Sequence, residues 1–451
     1  MRTDDSICGI SSPPGRGAIA VIRISGGKAS SAAKKFYGDP GPVHRLVRTA
    51  PFKNGGSGID LTNYVFFKGP GTYTGEDMLE IYCHGGTAVQ DAILAAIVSA
   101  GIRPAFRGEF TYRAVLNGKM DMLQAEAVNT LINANTGSAI DYLNRIVHGG
   151  LSSEIRKFKE EIYEILAKTE AGIDFSDSLD ISDDLLTEAR KDLEAMNGKL
   201  SSFIADYGFA KAISTGYKVA IAGKPNSGKS SLLNAILKKE RAIVAEYGGT
   251  TRDIIREEID LDSYDVTLYD TAGIRETDDI IEKKGILKTK ELLAETDLAV
   301  FVADLSTPFS KADRMALKEA GKNPSVIVFL NKSDIEAYDY SEIPELRSFE
   351  TVKGSALRNS GVKALLKAVS AKIAGLKNGP CETLIFTERQ KQLLSKVKRE
   401  LGRLLKKDIR SEAEICAELL KHILKLLNDF LGAGAGEDIR EYIFKNFCIG
   451  K

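Results

Sequence analysis

The stretch from Val219 to Ser231 reads VAIAGKPNSGKSS. A short apolar run is followed by a glycine-rich turn of the form G-x-x-x-x-G-K-S, and then by the helix-forming sequence SLLNAIL. Such a turn cradles phosphate on its backbone N–H groups, and the helix that starts there adds its positive dipole end. Lys229 is placed to reach β- and γ-phosphate oxygens, and the Ser230 hydroxyl to ligate Mg²⁺. The stretch predicts a phosphate-binding loop between a strand and a helix.

Three further motifs follow in the order that a GTP-binding domain has. Asp270 ends an alternating apolar strand within the sequence YDTAG and is expected beside the Mg²⁺ site. Asn331 and Asp334, in NKSD, are spaced to read guanine, because the aspartate accepts from the ring N–H and the exocyclic amine. The segment Ser355–Leu357 is expected against the base. Together the motifs predict a GTP-binding domain with a doubly wound, mostly parallel sheet.

The residue after DTAG is Ile274, which cannot hydrogen-bond the water that attacks the γ-phosphate. Hydrolysis then needs another positioning group or another cation. Asn226, inside the phosphate loop, is a candidate ligand for a monovalent cation that bridges the phosphates. Glu282 is a candidate for holding the water, although spacing alone favours a carboxylate on a helix surface. Thr251, in GTTRD, is placed to complete the coordination of Mg²⁺.

Composition limits the remaining possibilities. The chain has 451 residues, which predicts two to four domains, and its formal net charge is zero, so any nucleic-acid surface must be local. Five scattered cysteines favour a reducing compartment over a disulfide framework. The N-terminus lacks the apolar stretch of a signal peptide, and no run reaches membrane-spanning length. The expected location is the cytoplasm.

The hydrophobic pattern divides the chain into four regions. Residues 1–118 read as a mixed α/β domain, with strands expected at 18–24, 64–67 and 78–82 and a helix at 91–100. Residues 119–215 and 376–451 have a helical period, and residues 216–375 form the GTP-binding domain. We expect the two helical regions to pack together, which makes the GTP-binding domain an insertion into a helical one.

The end of the sequence, FCIGK (447–451), allows three interpretations. A prenylation motif fits poorly because the last residue is lysine. A frayed tail with a free thiol is the simplest alternative. The apolar residues Tyr442, Phe444 and Phe447 instead favour a tail that is held against the fold.

Taken together, these features resemble the MnmE (TrmE) family of tRNA-modification GTPases over essentially the whole length. The GTTRD segment and the tail are the most specific signals. The other residues that carry the resemblance are the motifs IRISG (22–26), YTGED (73–77), HGG (84–86), RGEFT (107–111), LNGK (116–119) and QAE (124–126), together with the GTP-binding motifs.

The resemblance implies a GTP hydrolase in which Glu282 orients water, and a set of ligands for nucleotide and ions. Mg²⁺ would be held by Ser230 and Thr251, and K⁺ by Asn226, Ala245, Tyr247 and Thr250. GTP itself would be bound by Asn226, Ser227, Gly228, Lys229, Ser230, Ser231, Ala245, Glu246, Tyr247, Gly248, Gly249, Thr250, Thr251, Asp270, Thr271, Ala272, Gly273, Asn331, Lys332, Asp334, Ser355, Ala356 and Leu357.

The resemblance also implies a folate site in the N-terminal domain. A one-carbon tetrahydrofolate, 5-formyl or methylene, would be bound by Arg23, Glu80, Lys119 and Lys451, and Cys448 would approach it as a catalytic residue. The family works as a homodimer through its N-terminal domains and joins MnmG, which carries FAD, in a heterotetramer. Together they add an aminomethyl-type (carboxymethylaminomethyl) group to C5 of the wobble uridine of certain tRNAs.

Two alternatives remain open from the sequence. The chain is either such a modification enzyme or a regulatory GTPase of ribosome assembly without folate chemistry. A membrane-anchored G protein lacks an anchor in the sequence. Residues 389–410 carry nine Lys/Arg on a helical pattern, which indicates either a solvated basic helix or a face that contacts tRNA phosphates.

Overall fold

The computed structural model describes residues 5–174, 183–239, 255–270, 292–293, 295–323, 325–377, 385–408, 411–433, 447 and 450. It divides into two compact units. The first comprises Met1–Asn129, Val147–Ile181 and Lys407–Lys451, and the second comprises Thr130–Ile146 and Ser182–Lys406. No helix among the described residues combines the length and the apolar character that crossing a membrane requires.

The described helices and strands have the following bounds, numbered along the chain. The strands are β1 (Ile7–Ile10), β2 (Ile19–Ser25), β3 (Val47–Asn54), β4 (Ser57–Phe67), β5 (Met78–His84), β6 (Arg103–Pro104), β7 (Tyr217–Ala222), β8 (Ile255–Leu261), β9 (Tyr264–Asp270), β10 (Leu298–Asp304), β11 (Val326–Asn331) and β12 (Glu350–Lys353). The helices are α1 (Ala29–Tyr37), α2 (Thr87–Ser99), α3 (Glu109–Leu116), α4 (Met122–Leu131), α5 (Gly137–Val147), α6 (Gly150–Asp174), α7 (Asp183–Ala205), α8 (Tyr207–Thr215), α9 (Lys229–Leu237), α10 (Lys311–Ala320), α11 (Val362–Ala374), α12 (Glu388–Leu404) and α13 (Ala413–Leu431).

The first unit is built on a six-stranded sheet with the order β3-β4-β5-β2-β1-β6. Its pairs are antiparallel except for β1 with β6, which is parallel. Apolar side chains of the sheet and of α1 and α2 form one buried cluster, which includes Ile22, Leu79, Phe36 and Ile93. The three predicted strands correspond to β2, the end of β4 and β5, and the predicted helix to α2. The prediction missed β3, whose side chains are mostly exposed.

Helices complete the first unit. The long helix α6 packs along α13, and Lys421 Nζ lies 2.7 Å from Glu170 Oε1 across that pair. Phe447 is only 4% exposed and packs against Tyr112, Met122 and Ala125. The prediction of a tail held against the fold is therefore confirmed at Phe447, whereas Tyr442 and Phe444 lie outside the described residues.

The second unit is built on a sheet with the order β12-β11-β10-β7-β9-β8. Every pair is parallel except the β8–β9 hairpin. Both faces of the sheet are buried: Ile221 and Val300 belong to the core on one face, and Phe301 and Val328 to the core on the other. Two covered faces explain why β10 and β11 read as continuous apolar runs rather than as alternating patterns. The doubly wound, mostly parallel sheet is confirmed.

Helical pairs also join segments on either side of this sheet in the sequence. Within the second unit α7 packs against α12, as α6 packs against α13 in the first. Helix α12 begins with a capping box, in which Thr387 Oγ1 accepts from the Gln390 N–H and the Gln390 side chain accepts from the Thr387 N–H. A GTP-binding domain inserted between helical segments of the sequence is the observed arrangement.

Candidate functional site: a nucleotide loop and a charged pair on the N-terminal sheet

The phosphate loop lies between β7 and α9, as the sequence predicts. Three of its residues have left-handed backbone: Gly223 at φ 151°, Asn226 at φ 59° and Gly228 at φ 97°. A Cβ on Gly223 would lie 2.5 Å from Val302 O, and one on Gly228 would lie 2.2 Å from Asn331 Nδ2. The glycines are required here because the loop packs directly against the ends of β10 and β11.

Lys229 and Ser230 are the first two residues of α9. The backbone N–H groups at this end of the helix have no partner within the helix. Lys229 is buried, and its Nζ donates to Lys224 O at 2.9 Å, across the loop. Ser230 Oγ donates to Asp270 Oδ2 at 2.7 Å. A hydroxyl beside a carboxylate is the oxygen donor set that Mg²⁺ prefers, so these residues fit that ion.

Ser227 contributes a buried polar atom to the loop. Its Oγ is buried and has no hydrogen-bond partner among the described residues. A buried hydroxyl without a partner carries a desolvation cost that a bound ligand can remove. The neighbouring Asn226 is exposed, so its side chain is accessible to a ligand or an ion.

The guanine motif is connected to the phosphate loop by one amide. Asn331 Nδ2 donates to Ser227 O at 2.8 Å, and Asn331 Oδ1 accepts from the Ala356 N–H at 2.9 Å. Asn331 is 2% exposed, so both bonds are shielded from water. This single side chain holds the phosphate loop and the base-side loop in fixed relation.

Asp334 and Lys332 extend the same motif. A hydrogen bond with Ser355 lowers the pKa of Asp334, so its carboxylate is ionised and able to accept two N–H groups of a guanine. Lys332 has φ 64°, and its Nζ donates to Asp304 Oδ2 at 2.6 Å. Ser355 is fully buried, whereas Leu357 is 82% exposed and open to contact with a base.

Lys224 holds the phosphate loop from its other side, which the sequence analysis did not predict. Its Nζ donates to Asp313 Oδ2 and to Thr307 Oγ1, each at 2.9 Å. Asp313 also accepts from the Ser310 N–H at 2.9 Å in a capping box that begins α10. The S-x-x-D pattern at 310–313 signals that box, but nothing in the sequence links it to Lys224.

Many predicted nucleotide ligands lie outside the described residues. They comprise Ala245, Glu246, Tyr247, Gly248, Gly249, Thr250, Thr251, Thr271, Ala272, Gly273 and the candidate water-orienting residue Glu282. Cys448 and Lys451, expected at the folate site, lie outside them as well.

On the first unit, Arg23 and Glu80 form an ion pair. They are register partners on the neighbouring strands β2 and β5, and Arg23 Nε donates to Glu80 Oε1 at 2.7 Å. Tyr82 OH donates to the other carboxylate oxygen at 2.6 Å. Burial raises the pKa of Tyr82 to about 12, so its hydroxyl stays protonated and remains a donor. The Arg23 guanidinium also lies 6.0 Å from the centre of the Tyr73 ring.

The loop after Tyr73 approaches Lys119. Asn117 Nδ2 donates to Thr74 O at 2.7 Å. A Cβ on Gly75, which has φ 81°, would lie 3.3 Å from Lys119 Cγ. The third predicted folate residue therefore packs on the loop that carries Tyr73, whose ring faces Arg23.

The tail of the chain reaches the same sheet. Gly450 O accepts from Ser11 Oγ at 2.8 Å, and Gly450 Cα lies 3.5 Å from the position of a Cβ on Gly9. Gly9 is the register partner of Arg23, which pairs in turn with Glu80. The tail is thus seated on the strand beside the Arg23–Glu80 pair.

Two family models together match almost the whole chain. The family model described as "MnmE helical domain" matches residues 122–448, and the one described as "GTP-binding protein TrmE N-terminus" matches residues 6–119. Among solved structures, the G domain of the T. maritima FeoB iron transporter is 27% identical and covers 36% of this chain and 98% of its own, with a TM-score of 0.27.

Curated relatives are similar over their whole length. A tRNA modification GTPase MnmE from Thermosipho melanesiensis is 35% identical over 99% of this chain and 100% of its own. Relatives with the same name from Thermotoga petrophila and Clostridioides difficile are each 36% identical, over 99% and 100% of this chain and all of theirs. This chain belongs to the MnmE family of tRNA modification GTPases.

Proposed function

We propose that this GTPase is stimulated by potassium and acts with MnmG on tRNA in the cytoplasm. The pair would add a carboxymethylaminomethyl-type group to C5 of the wobble uridine. The carbon would come from a one-carbon tetrahydrofolate bound to the N-terminal sheet, and FAD would be supplied by MnmG. The active form would be a homodimer, within a heterotetramer that contains MnmG. The domain boundaries 1–118, 119–215, 216–375 and 376–451 belong to this proposal.

In the nucleotide half, each residue has one task. Backbone N–H groups of the loop and Lys229 bind the phosphates, and Asn331 keeps the loop in the shape that this requires. Ser230, with Thr251, would hold Mg²⁺, with Asp270 accepting from the Ser230 hydroxyl. When bound, Mg²⁺ neutralises charge on the β- and γ-phosphate oxygens. Asp334 selects guanine by accepting hydrogen bonds from the ring N–H and the exocyclic amine of the base.

Hydrolysis requires groups that compensate for Ile274. We assign the orientation of water to Glu282 and the binding of K⁺ to Asn226, with Ala245, Tyr247 and Thr250. The exposure of Asn226 on a left-handed turn supports its part of this assignment, because an exposed amide is accessible to an ion. A cation there supplies the positive charge that an arginine supplies in other GTPases.

The folate half is carried by one observation, the Arg23–Glu80 pair with the tail seated next to it. A guanidinium suits the carboxylates of a folate glutamate, and a carboxylate suits the N–H groups of a pterin edge. Both groups are partly exposed, at 23% and 14%, so a ligand can exchange for their mutual bond. Lys119 and Lys451 would add cationic contacts, and Cys448 would approach the carbon unit from the tail.

A reconstituted reaction with MnmG, tRNA and folate tests the proposal. We expect faster GTP hydrolysis in potassium than in sodium salt, and modified uridine only when folate is present. Ser230→Ala should slow hydrolysis about 100-fold or more, whereas Arg23→Ala should leave hydrolysis unchanged and abolish modification. Modification that proceeds without folate would overturn the folate assignment, whereas no modification under any of these conditions would favour a regulatory GTPase of ribosome assembly.

A further inference from the structure

Helix α12 carries a line of cationic side chains on its solvent face. Lys396, Arg399 and Arg403 are all exposed and follow at the i, i+3 and i+7 spacing of one helix face. Lys406 continues the line in the turn after the helix, where its N–H donates to Arg403 O at 3.2 Å. We call these four residues the basic stripe.

The opposite side of α12 is fixed. Leu394, Val397, Leu401 and Leu404 are buried, and the helix packs against α7. The stripe therefore sits on a rigid element, with its charged groups directed away from the core.

A buried carboxylate orients the middle of the stripe. Glu400 is only 1% exposed. Its Oε2 accepts from Arg403 Nη1 at 3.0 Å, and its Oε1 accepts from Arg399 Nε at 3.3 Å. Both arginines remain 62–63% exposed at their side chains, so their remaining N–H groups face solvent. Two guanidinium groups held one turn apart lose less conformational freedom when they bind a second anion.

The outer members of the stripe are its two lysines, Lys396 and Lys406. Among the side chains that the structure describes, neither Lys396 nor Lys406 has an ion-pair partner, and the one carboxylate inside the stripe is Glu400. Four cations against one carboxylate leave a strong local excess in a chain whose formal net charge is zero. Lys398, a further lysine of α12, is half-buried and lies off this face.

We propose that the basic stripe binds the phosphate backbone of tRNA, an inference that rests on the proposed function. The ten residue steps from Lys396 to Lys406 span about 15 Å at the rise of a helix, enough for more than one phosphate of a strand. Contacts of this kind do not read the base sequence; they fix the position and orientation of the nucleic acid. Lysines and arginines on one helix face are the electrostatic footprint of such a surface.

The test compares two double variants with the same change in charge. Lys396→Glu with Lys406→Glu removes the ends of the stripe, and Lys363→Glu with Lys367→Glu changes two exposed lysines of α11. The affinity of the full chain for tRNA is measured over a range of salt concentrations. Loss of two phosphate contacts should weaken binding at least about tenfold and reduce the slope of log K against log salt by about 1.4–1.8. The α11 variant should stay within about twofold of the parent.

GTP hydrolysis without tRNA and the thermal unfolding temperature serve as readouts of folding, and both variants should match the parent. An unchanged affinity and slope in the stripe variant would overturn the inference, as would an equal loss in the α11 variant. If the unaltered protein, alone and with MnmG, binds no tRNA, the proposed function itself fails, which separates that outcome from failure of the stripe.

Discussion

Gly228 occupies a position in the phosphate loop that only glycine fits without strain. Its backbone is left-handed, and a Cβ there would lie 2.2 Å from Asn331 Nδ2, the amide that holds the guanine motif to the loop. One methyl group therefore disturbs the phosphate side and the base side together. The motif is recognisable in sequence for this reason: its residues are fixed by close backbone contact rather than by general hydrophobicity.

We predict that Gly228→Ala weakens GTP binding at least about 100-fold, because strained backbone and displacement of Asn331 add to a few kcal/mol. Gly402→Ala is the matched control, since a Cβ at this glycine in α12 meets no atom within 4 Å. The control should bind GTP normally and raise stability by about 0.5–1 kcal/mol. Titration with a fluorescent GTP analogue measures both, and an affinity for Gly228→Ala within threefold of the parent would contradict the loop geometry.

We predict that Asp334→Asn changes the base preference of the nucleotide site from guanine to xanthine. The carboxylate accepts two N–H groups, whereas an amide offers one acceptor and one donor, which suits the C2 carbonyl of xanthine. GTP affinity should fall about 100-fold, the loss of a charge-assisted pair of bonds, and XTP affinity should rise. Asp339→Asn, at a carboxylate that accepts from the Ser341 N–H, is the control and should change neither. Equal loss of both nucleotides in Asp334→Asn would argue against a direct base contact.

The hairpin of β8 and β9 contains a buried carboxylate that carries an electrostatic cost. Asp262 and Ser263 turn with positive φ, and Ser138 Oγ donates to Ser263 O at 2.5 Å. Asn135 Nδ2 donates to Asp265 Oδ2 at 2.9 Å, while Asp265 Oδ1 is buried without a partner among the described residues. Burial raises the pKa of Asp265, so its ionised form destabilises the fold at neutral pH.

Asp265→Asn should therefore raise the unfolding temperature at pH 7 by about 2 °C. A pKa that is higher in the folded state favours folding at low pH, and this contribution is lost as pH rises through the folded pKa. The advantage of the amide should thus disappear at about pH 3, below the ordinary carboxyl pKa, where the parent carboxyl is largely protonated in both states. Thermal unfolding at both pH values measures the effect of the substitution. Asp192→Asn, at an exposed position of α7, is the control. A lower unfolding temperature at pH 7 would show that the charge is needed.

Sequence alone located elements best where chemistry or periodicity is local. The phosphate loop, the strands β7 and β9 beside it and the helical segments were predicted because a short window contains the whole signal. Strand β3 was missed because it contains Pro51 and its side chains are mostly exposed. The Arg23–Glu80 pair came only from family resemblance, since 57 residues separate the two and only strand register brings them together. The link from Lys224 to Asp313 was not predicted for the same reason.

Over the whole molecule, the tail connects the two ends of the chain. Gly450 has φ 89°, and a Cβ there would lie 2.0 Å from Ile10 O. Gly450→Ala should therefore unseat the tail from β1. We predict at least about a tenfold loss of tRNA modification, as expected for a misplaced reacting group, with GTP hydrolysis unchanged. Gly402→Ala again serves as the control. Full tRNA modification by the Gly450→Ala variant would show that the folate reaction does not need the tail to be seated on β1.

The central claim is that the N-terminal sheet binds a one-carbon folate for the reaction that the GTPase serves. Calorimetric titration of the full chain with 5-formyltetrahydrofolate tests it most directly, using the parent, Arg23→Ala and, as a control on the same unit, Arg45→Ala. The account predicts saturable binding by the parent and by Arg45→Ala, and at least about 30-fold weaker binding by Arg23→Ala, as loss of a charged hydrogen-bond partner implies. Absence of binding in all three, or equal binding in all three, would contradict it.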